Sequence, residues 1–128
     1  MLILVLMFFK CFKPKKNVVI IDWVLALDQC GGDENFLFEI LKQTYIEITG
    51  PLSEIDHYSS NQIREYAHMV KGVSQNLYCK ELEIHTTTLE LLVIEEGDKS
   101  IKIKKSVSEL KSKILRFENL LKQRKIID

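Results

Sequence analysis

One face of the segment 63–77 carries polar side chains that could bind or transfer a phosphoryl group. They are an imidazole, two cations and an amide at helical spacing, Arg64, His68, Lys71 and Gln75. A neutral imidazole is a competent nucleophile near pH 7, and a cation one helical turn away can neutralise a bound phosphate. Gly72 follows on the same side. Because glycine costs a helix about 0.5–1 kcal/mol relative to alanine, it indicates that a phosphorylated partner docks close to the backbone here.

Another face of this segment is apolar with the same period. Its buried stripe is predicted to comprise Ile63, Tyr66, Ala67, Val70, Val73 and Leu77. This spacing predicts an amphipathic helix that starts after a serine cap, at Ser59 or Ser60, and runs to about Leu77. His68 lies off the stripe, so we expect its ring to be exposed to solvent near the middle of the helix.

Helical patterns also flank this segment. A first helix is predicted at about 22–30, ended by Gly31-Gly32. A second, capped by Asp33, should kink or split at Gly50-Pro51. A fourth is predicted at about 79–95, and a fifth carries a heptad seam of Ile103, Val107, Leu110, Ile114, Phe117 and Leu121. The pattern predicts an all-α domain over 18–128, an up-down-up-down four-helix bundle with a short extra N-terminal helix.

The composition fits one helical domain, which we expect to be a monomer. The chain has 128 residues, 46% of them hydrophobic, with five glycines and two prolines, too few for the turns of a sandwich or barrel. The formal net charge is zero, which gives no indication of nucleic-acid binding. The segment 99–125 is basic nevertheless, through Lys99, Lys102, Lys104, Lys105, Lys111, Lys113, Arg116, Lys122, Arg124 and Lys125. We interpret it as the solvated face of the last helix, with an acidic partner or a membrane surface as the alternative.

The cysteines indicate a reducing compartment. Cys11, Cys30 and Cys79 have no paired spacing, which predicts no disulfide framework and favours a cytoplasmic location. Each is expected to be a small buried or half-buried apolar residue.

Residues 1–17 form an N-terminal extension with an apolar run at 1–9, followed by Lys10, Lys13, Lys15 and Lys16. Nine apolar residues are too few to span a bilayer as a helix, which needs about 20. The charges follow the apolar run, the reverse of a secretory signal. The extension could be an interfacial membrane anchor, a segment packed on the bundle, or the product of an unused upstream start codon, and we favour the last two.

The segment around His68 resembles the histidine-containing phosphotransfer (HPt) domains of two-component phosphorelays. The family motif is a histidine followed by lysine, glycine, glycine and leucine three, four, ten and fourteen residues later, and His68, Lys71, Gly72 and Leu82 match it. Ala67, the Leu89-Glu90 pair and the segment 27–37 also resemble the family. Tyr78 departs from the motif, because it stands where the family has its second glycine.

The resemblance implies a phosphorelay intermediate and phosphoprotein without kinase activity of its own. His68 would take a phosphoryl group from an aspartyl phosphate on a response-regulator receiver domain and pass it to another receiver. Lys71 and Arg64 would steady the phosphate, and Gln75 would donate a hydrogen bond. Gly72 would let the receiver's loops approach. No cofactor is implied, because the Mg²⁺ would belong to the receiver; a hybrid sensor histidine kinase is a further candidate partner.

Two other functions stay open. One is an HPt-like helical module that binds receiver-like partners without phosphotransfer. The other is a basic helical protein that binds nucleic acid or membrane. The remaining candidate residues are interpreted as structural: His85 as a packing or boundary residue, His57 as a loop residue and Glu65 as a solvated carboxylate. No metal-ligand spacing such as HExxH is present.

Overall fold

The computed structural model describes residues 18–97 and 101–128, and it is all-helical over them, as predicted. The α-helices are α1 (Trp23–Gln29), α2 (Glu34–Thr49), α3 (Ser60–Asn76), α4 (Lys80–Glu96) and α5 (Ile101–Gln123), with a 3-10 helix at Pro51–His57. No helix in this part of the chain is both long and apolar enough to cross a membrane. The predictions for residues 1–17, including Cys11, and for Asp98 and Lys99 lie outside the described residues.

Polar side chains start the helices where the sequence predicts them. The Asp33 carboxylate accepts a hydrogen bond from the Phe36 N–H at 3.1 Å and caps α2. Ser59 caps α3 in a reciprocal capping box with Gln62, in which each side chain binds the other's backbone N–H. Gly50-Pro51 splits the second helical segment, since α2 ends at Thr49 and a 3-10 turn follows.

Three helices end in the same backbone motif, in which the residue after the C-cap has a positive φ. That residue is Gly31 after α1, at a φ of +67°, but Tyr78 after α3 and Lys125 after α5, at 55° and 58°. After α3 the Cys79 N–H donates to the Ser74 carbonyl at 2.9 Å, the closing bond of a Schellman motif. A side chain in this conformation costs roughly 1–2 kcal/mol, so glycine is the usual residue there. Tyr78 therefore ends α3 in a conformation that glycine usually adopts.

The buried faces of the helices form one core. Its largest fully buried side chains include Leu37, Leu41, Ile48, Val70, Leu82, Leu89, Leu110, Phe117 and Leu121. α3 packs along α4, and α4 along α5. The predicted seam of α5 is buried throughout. One position of the predicted stripe in α3 is corrected, because Val73 is half-buried and Ser74 is fully buried. With 3.6 residues per turn, a step of four residues from Val70 stays closer to the buried face than a step of three.

The two cysteines in the described residues are free thiols, as predicted. Cys30 is half-buried and Cys79 is buried. Burial raises the pKa of the Cys79 thiol to about 12, with a smaller contribution from Glu83, so this sulfur is a protonated, unreactive packing group near neutral pH.

Candidate functional site

α3 presents His68 to solvent near its middle. The opposite side of the helix is buried in the core through Ile63, Tyr66, Ala67 and Val70. The His68 side chain is consequently 73% exposed. The His68 backbone belongs to a regular, capped helix, so the position of the side chain is well defined and the ring is accessible from solvent.

Glu90 on α4 binds both His68 and Lys71. Its Oε1 lies 2.6 Å from His68 Nδ1, and its Oε2 lies 2.6 Å from Lys71 Nζ. The Glu90 side chain is only 15% exposed, whereas the ring that it contacts is open to solvent. One carboxylate on α4 is therefore bonded both to His68, the candidate nucleophile, and to Lys71, the nearest cation.

The charge state of Glu90 determines where His68 carries its proton. Partial burial disfavours the Glu90 carboxylate, but the hydrogen bonds from Lys71 and then His68 outweigh this effect and lower the pKa of Glu90. An ionised carboxylate only accepts hydrogen bonds, so Nδ1 of His68 must be the protonated nitrogen. Nε2 then holds the free lone pair, and it has no partner among residues 18–97 and 101–128.

Lys71 lies beside the ring in a tethered position. Its side chain is 23% exposed and its ammonium is bound to Glu90. Lys71 and His68 are one turn apart on α3, so an anion bound to the ring would lie within reach of the Lys71 ammonium. The arrangement supplies a nucleophilic nitrogen with one cation beside it.

Gly72 leaves open space next to the ring. A Cβ built on Gly72 would meet nothing within 4 Å among the described residues, so neighbouring side chains do not require a glycine at this position. Arg64 and Gln75 are exposed on the same helix, and neither has a hydrogen bond to His68 in the described part of the chain. The structure thus brings His68, Lys71 and Gly72 together. Arg64 and Gln75 lie on the same helix but are not hydrogen-bonded to the His68 ring.

Glu90 is the residue of this site that the sequence pattern missed as a partner. It lies 22 residues from His68, on another helix, so helical spacing within α3 cannot indicate it. The available signal was the Leu89-Glu90 pair of the HPt resemblance. Glu65, the carboxylate that helical spacing did offer, is exposed, and its Oε1 accepts from Asn61 Nδ2 at 3.4 Å.

A second histidine, His85 on α4, is buried against α5, as its interpretation as a packing residue predicted. Its Nε2 donates to the Ser106 carbonyl at 2.8 Å, and Lys113 Nζ lies 3.2 Å from its Nδ1. Burial lowers the pKa of His85; the Ser106 bond and Glu109 oppose this, and Lys113 adds to it. This ring is a neutral structural group.

Several cations of the basic segment contact polar groups of this chain. Lys102 pairs with Glu96, Lys111 with Asp56, Arg116 with Glu81 and Lys122 with Glu118. The Asp56 pair links α5 to the 3-10 helix, and the Lys111 ammonium lowers the pKa of the exposed Asp56 carboxyl. These contacts partly neutralise the basic face inside the molecule. Over the described residues, no group of three or more His, Cys, Asp and Glu side chains could hold a metal ion.

Comparisons with models of protein families, with curated proteins and with solved structures found no match. The function is therefore inferred from the geometry around His68 and from the residues that resemble the HPt motif.

Proposed function

We propose that this chain is a histidine phosphotransfer protein of a two-component phosphorelay and that His68 carries the phosphoryl group between receiver-domain aspartates. The observation that carries the proposal is the contact between His68 Nδ1 and the Glu90 carboxylate, at 2.6 Å. That contact holds the proton on the inner nitrogen and turns the basic Nε2 toward solvent. The buried ring of His85 has no such free nitrogen.

The transfer step needs only a nucleophile and charge neutralisation. The Nε2 lone pair of His68 forms a bond to the phosphorus of an aspartyl phosphate. The phosphorus–oxygen bond to the aspartyl carboxylate breaks, and its electron pair leaves with that carboxylate. The product is an imidazolium phosphorylated on Nε2 and protonated on Nδ1. Reversal onto a second aspartate completes the relay, and positioning with charge stabilisation supplies the rate enhancement.

Glu90 and Lys71 stabilise opposite charges of this product. The Glu90 carboxylate is hydrogen-bonded to the Nδ1–H of the positively charged ring, so it favours the phosphorylated imidazolium electrostatically. The Lys71 ammonium, held on the same carboxylate at 2.6 Å, is the cation available to a phosphoryl oxygen on Nε2. Glu90 is a positioning residue in this account, because it acts through the ring and not on the phosphorus.

The proposal includes the finer architecture of the family. We propose that α2, α3, α4 and α5 form an up-down-up-down four-helix bundle and that α1 is the short extra helix. The Tyr66 hydroxyl on α3 donates to the Ile48 carbonyl on α2 at 2.6 Å, and α4 lies against both α3 and α5, which supports this arrangement. Tyr78 ends α3 in the conformation that favours glycine, so its departure from the motif concerns helix termination and not the chemistry of His68.

A labelling experiment tests the function. The full chain is incubated with a panel of receiver domains phosphorylated on aspartate with ³²P. We expect label on the chain that is stable in alkali and labile in acid, absent from His68→Gln and retained in the matched exposed control His57→Gln. Receiver binding without label would support the alternative of a non-transferring module. Salt-sensitive binding to DNA or anionic vesicles, with no label and no receiver binding, would support the alternative of a basic protein that binds nucleic acid or membrane.

The role of Gly72 in docking has its own test. Gly72→Leu fills space that the described residues leave open and replaces a poor helix former with a good one, so the melting temperature should hold or rise. Transfer should fall, because the new side chain stands one turn from His68 where a receiver must approach. Ser112→Leu, at an exposed position of α5, is the control and should transfer normally. Normal transfer in Gly72→Leu would remove this face of α3 from the docking surface.

A further inference from the structure

The outward side of α4 is apolar although it faces solvent. Ile84, Leu91 and Ile94 are 50%, 56% and 63% exposed. They follow one another at helical spacing along a helix whose inner side is already buried by Leu82, Leu89 and Val93. A helix that is apolar on both sides is normally covered on both, so this surface indicates a missing contact.

The polar residues between these side chains do not interrupt the surface. Thr87 and Thr88 are exposed, but the Thr87 hydroxyl donates to the Glu83 carbonyl at 2.8 Å and the Thr88 hydroxyl to the Ile84 carbonyl at 3.1 Å. Both donors are thus used within the helix, and neither residue requires water as an acceptor. We call the set Ile84, Thr87, Thr88, Leu91 and Ile94 the outer stripe; at a rise of about 1.5 Å per residue it is roughly 15 Å long.

We propose that the apolar segment 1–9 of this chain docks on the outer stripe. All nine residues are apolar, and the segment is separated from Val18 by only eight residues. The inference is independent of the phosphotransfer proposal, since it rests on the outer side of α4 and not on His68.

The described chain begins close to the N-terminal end of α4, where the outer stripe also begins. The Asp22 N–H donates to the Tyr78 carbonyl at 2.9 Å, which fixes residue 22 beside the connection between α3 and α4. The outer stripe begins at Ile84, one turn inside α4. Eight extended residues reach up to about 26–29 Å, which exceeds the roughly 15 Å length of the outer stripe.

Charge complementarity favours this occupant. Residues 10–17 contain four lysines and no acidic residue, whereas α4 contains five glutamates and one lysine. Glu83 and Glu95 border the outer stripe, and neither is in an ion pair within the described residues. In the proposed arrangement the lysines of residues 10–17 would lie near the N-terminal end of α4, where Glu83 lies. A second copy of the chain would meet the glutamates of α4 with its own glutamates.

Hydrogen exchange on the full chain tests the proposal. Amides in residues 2–9 should exchange at least about tenfold more slowly than in a synthetic peptide of the same sequence. Leu91→Ser with Ile94→Ser should remove this protection, whereas Leu115→Ser, at a similarly exposed leucine on α5, should leave it intact. Leu4→Asp should have the same effect as the double variant, and combining them should add nothing.

Three results would overturn the proposal. Protection of residues 2–9 that persists in the double variant would place the segment elsewhere. Protection that grows with protein concentration, together with a dimer in sedimentation, would assign the outer stripe to a second copy. Protection seen only with vesicles containing anionic lipid would make the segment a membrane contact.

Discussion

The two histidines on neighbouring helices of this molecule differ in every property that decides their chemistry. His68 is exposed and its Nδ1 faces a carboxylate at 2.6 Å, so its Nε2 is free toward solvent. His85 is 6% exposed, donates from Nε2 to a backbone carbonyl and has Nδ1 against a lysine ammonium. The first ring has a basic nitrogen and room for a reaction; the second has both nitrogens engaged.

The difference teaches that the groups bound to the ring nitrogens decide what each histidine can do. A carboxylate acceptor fixes the proton on Nδ1 and leaves Nε2 free, which suits a phosphoryl carrier. The Ser106 carbonyl fixes the proton on the other nitrogen of His85, and Lys113 disfavours a second proton, which suits a neutral packing group. The same side chain is therefore a candidate reactive group in α3 and a structural group in α4.

The largest expected effect is the loss of phosphoryl acceptance in His68→Gln. Glutamine has no nucleophilic nitrogen, so label from a phosphorylated receiver should fall to background. The free energy of unfolding should change by less than about 0.5 kcal/mol, because the position is exposed. Labelling and urea unfolding are measured on the same preparation. Retained label would locate the acceptor elsewhere, and an unfolded variant would make His68 a structural residue.

The reciprocal change, His85→Ala, should affect stability and spare the chemistry. It removes a buried ring and leaves the Ser106 carbonyl without its donor, which should cost about 2–4 kcal/mol of unfolding free energy. Phosphoryl acceptance should persist at temperatures where the variant is folded. A stable variant that fails to accept label would contradict the division of roles between the two histidines.

Substitutions around the ring of His68 should have intermediate effects. Lys71→Ala should slow transfer about tenfold or more without abolishing it, because a charge-assisted contact is worth roughly 1.5–3 kcal/mol. Glu90→Ala should slow it by a similar factor, because Nδ1 loses its acceptor. Glu90→Gln should be milder, since the amide oxygen still accepts from Nδ1. Single-turnover rates measure all three.

The control for this series is Glu65→Gln, on the same helix as His68. Glu65 is exposed and contacts Asn61 and not the ring, so its removal should leave the transfer rate unchanged. Equal loss in the Glu65 and Glu90 variants would show that general surface charge, and not the contact with His68, sets the rate.

The smallest expected effect is a pH dependence of stability that arises from His85. Burial lowers the pKa of this ring in the folded state. As the pH falls below about 6.5, the usual histidine pKa, the unfolded chain therefore takes up the proton before the folded chain does. The contribution of the neutral ring is complete above that pH and is lost as pH falls toward the folded pKa, by at most about 1.4 kcal/mol per pH unit. Unfolding midpoints between pH 7.5 and 5.5, at roughly half-unit steps, should show this slope in the parent chain and a weaker slope in His85→Ala. Equal slopes would assign the effect to other groups.

The sequence predicts local structure well because the relevant signals are local. Asp33 and Ser59 stand at the helix starts that they cap, and the heptad seam of α5 is buried as its period requires. The left-handed conformation of Tyr78 is not predictable in this way, since tyrosine is not a residue that favours it. Tyr78 adopts it in the turn that the Cys79 N–H closes by donating to the Ser74 carbonyl at 2.9 Å.

The candidate site is predictable only in part for a related reason. His68, Lys71 and Gly72 lie within one turn of one helix, so their spacing indicates that they share a face. Glu90 comes from another helix, and its contact depends on how α4 packs on α3. The partners of His85, at Ser106 and Lys113, depend in the same way on how α5 packs on α4.

The most direct test of the central claim identifies which nitrogen of which histidine is phosphorylated. The chain, labelled with ¹⁵N in histidine, is phosphorylated by a receiver and examined by ¹⁵N and ³¹P NMR in alkaline buffer. The geometry of Glu90 and His68 predicts a phosphoryl group on Nε2 of His68, with the proton retained on Nδ1. Phosphorylation on Nδ1, or on His57 or His85, would contradict the account.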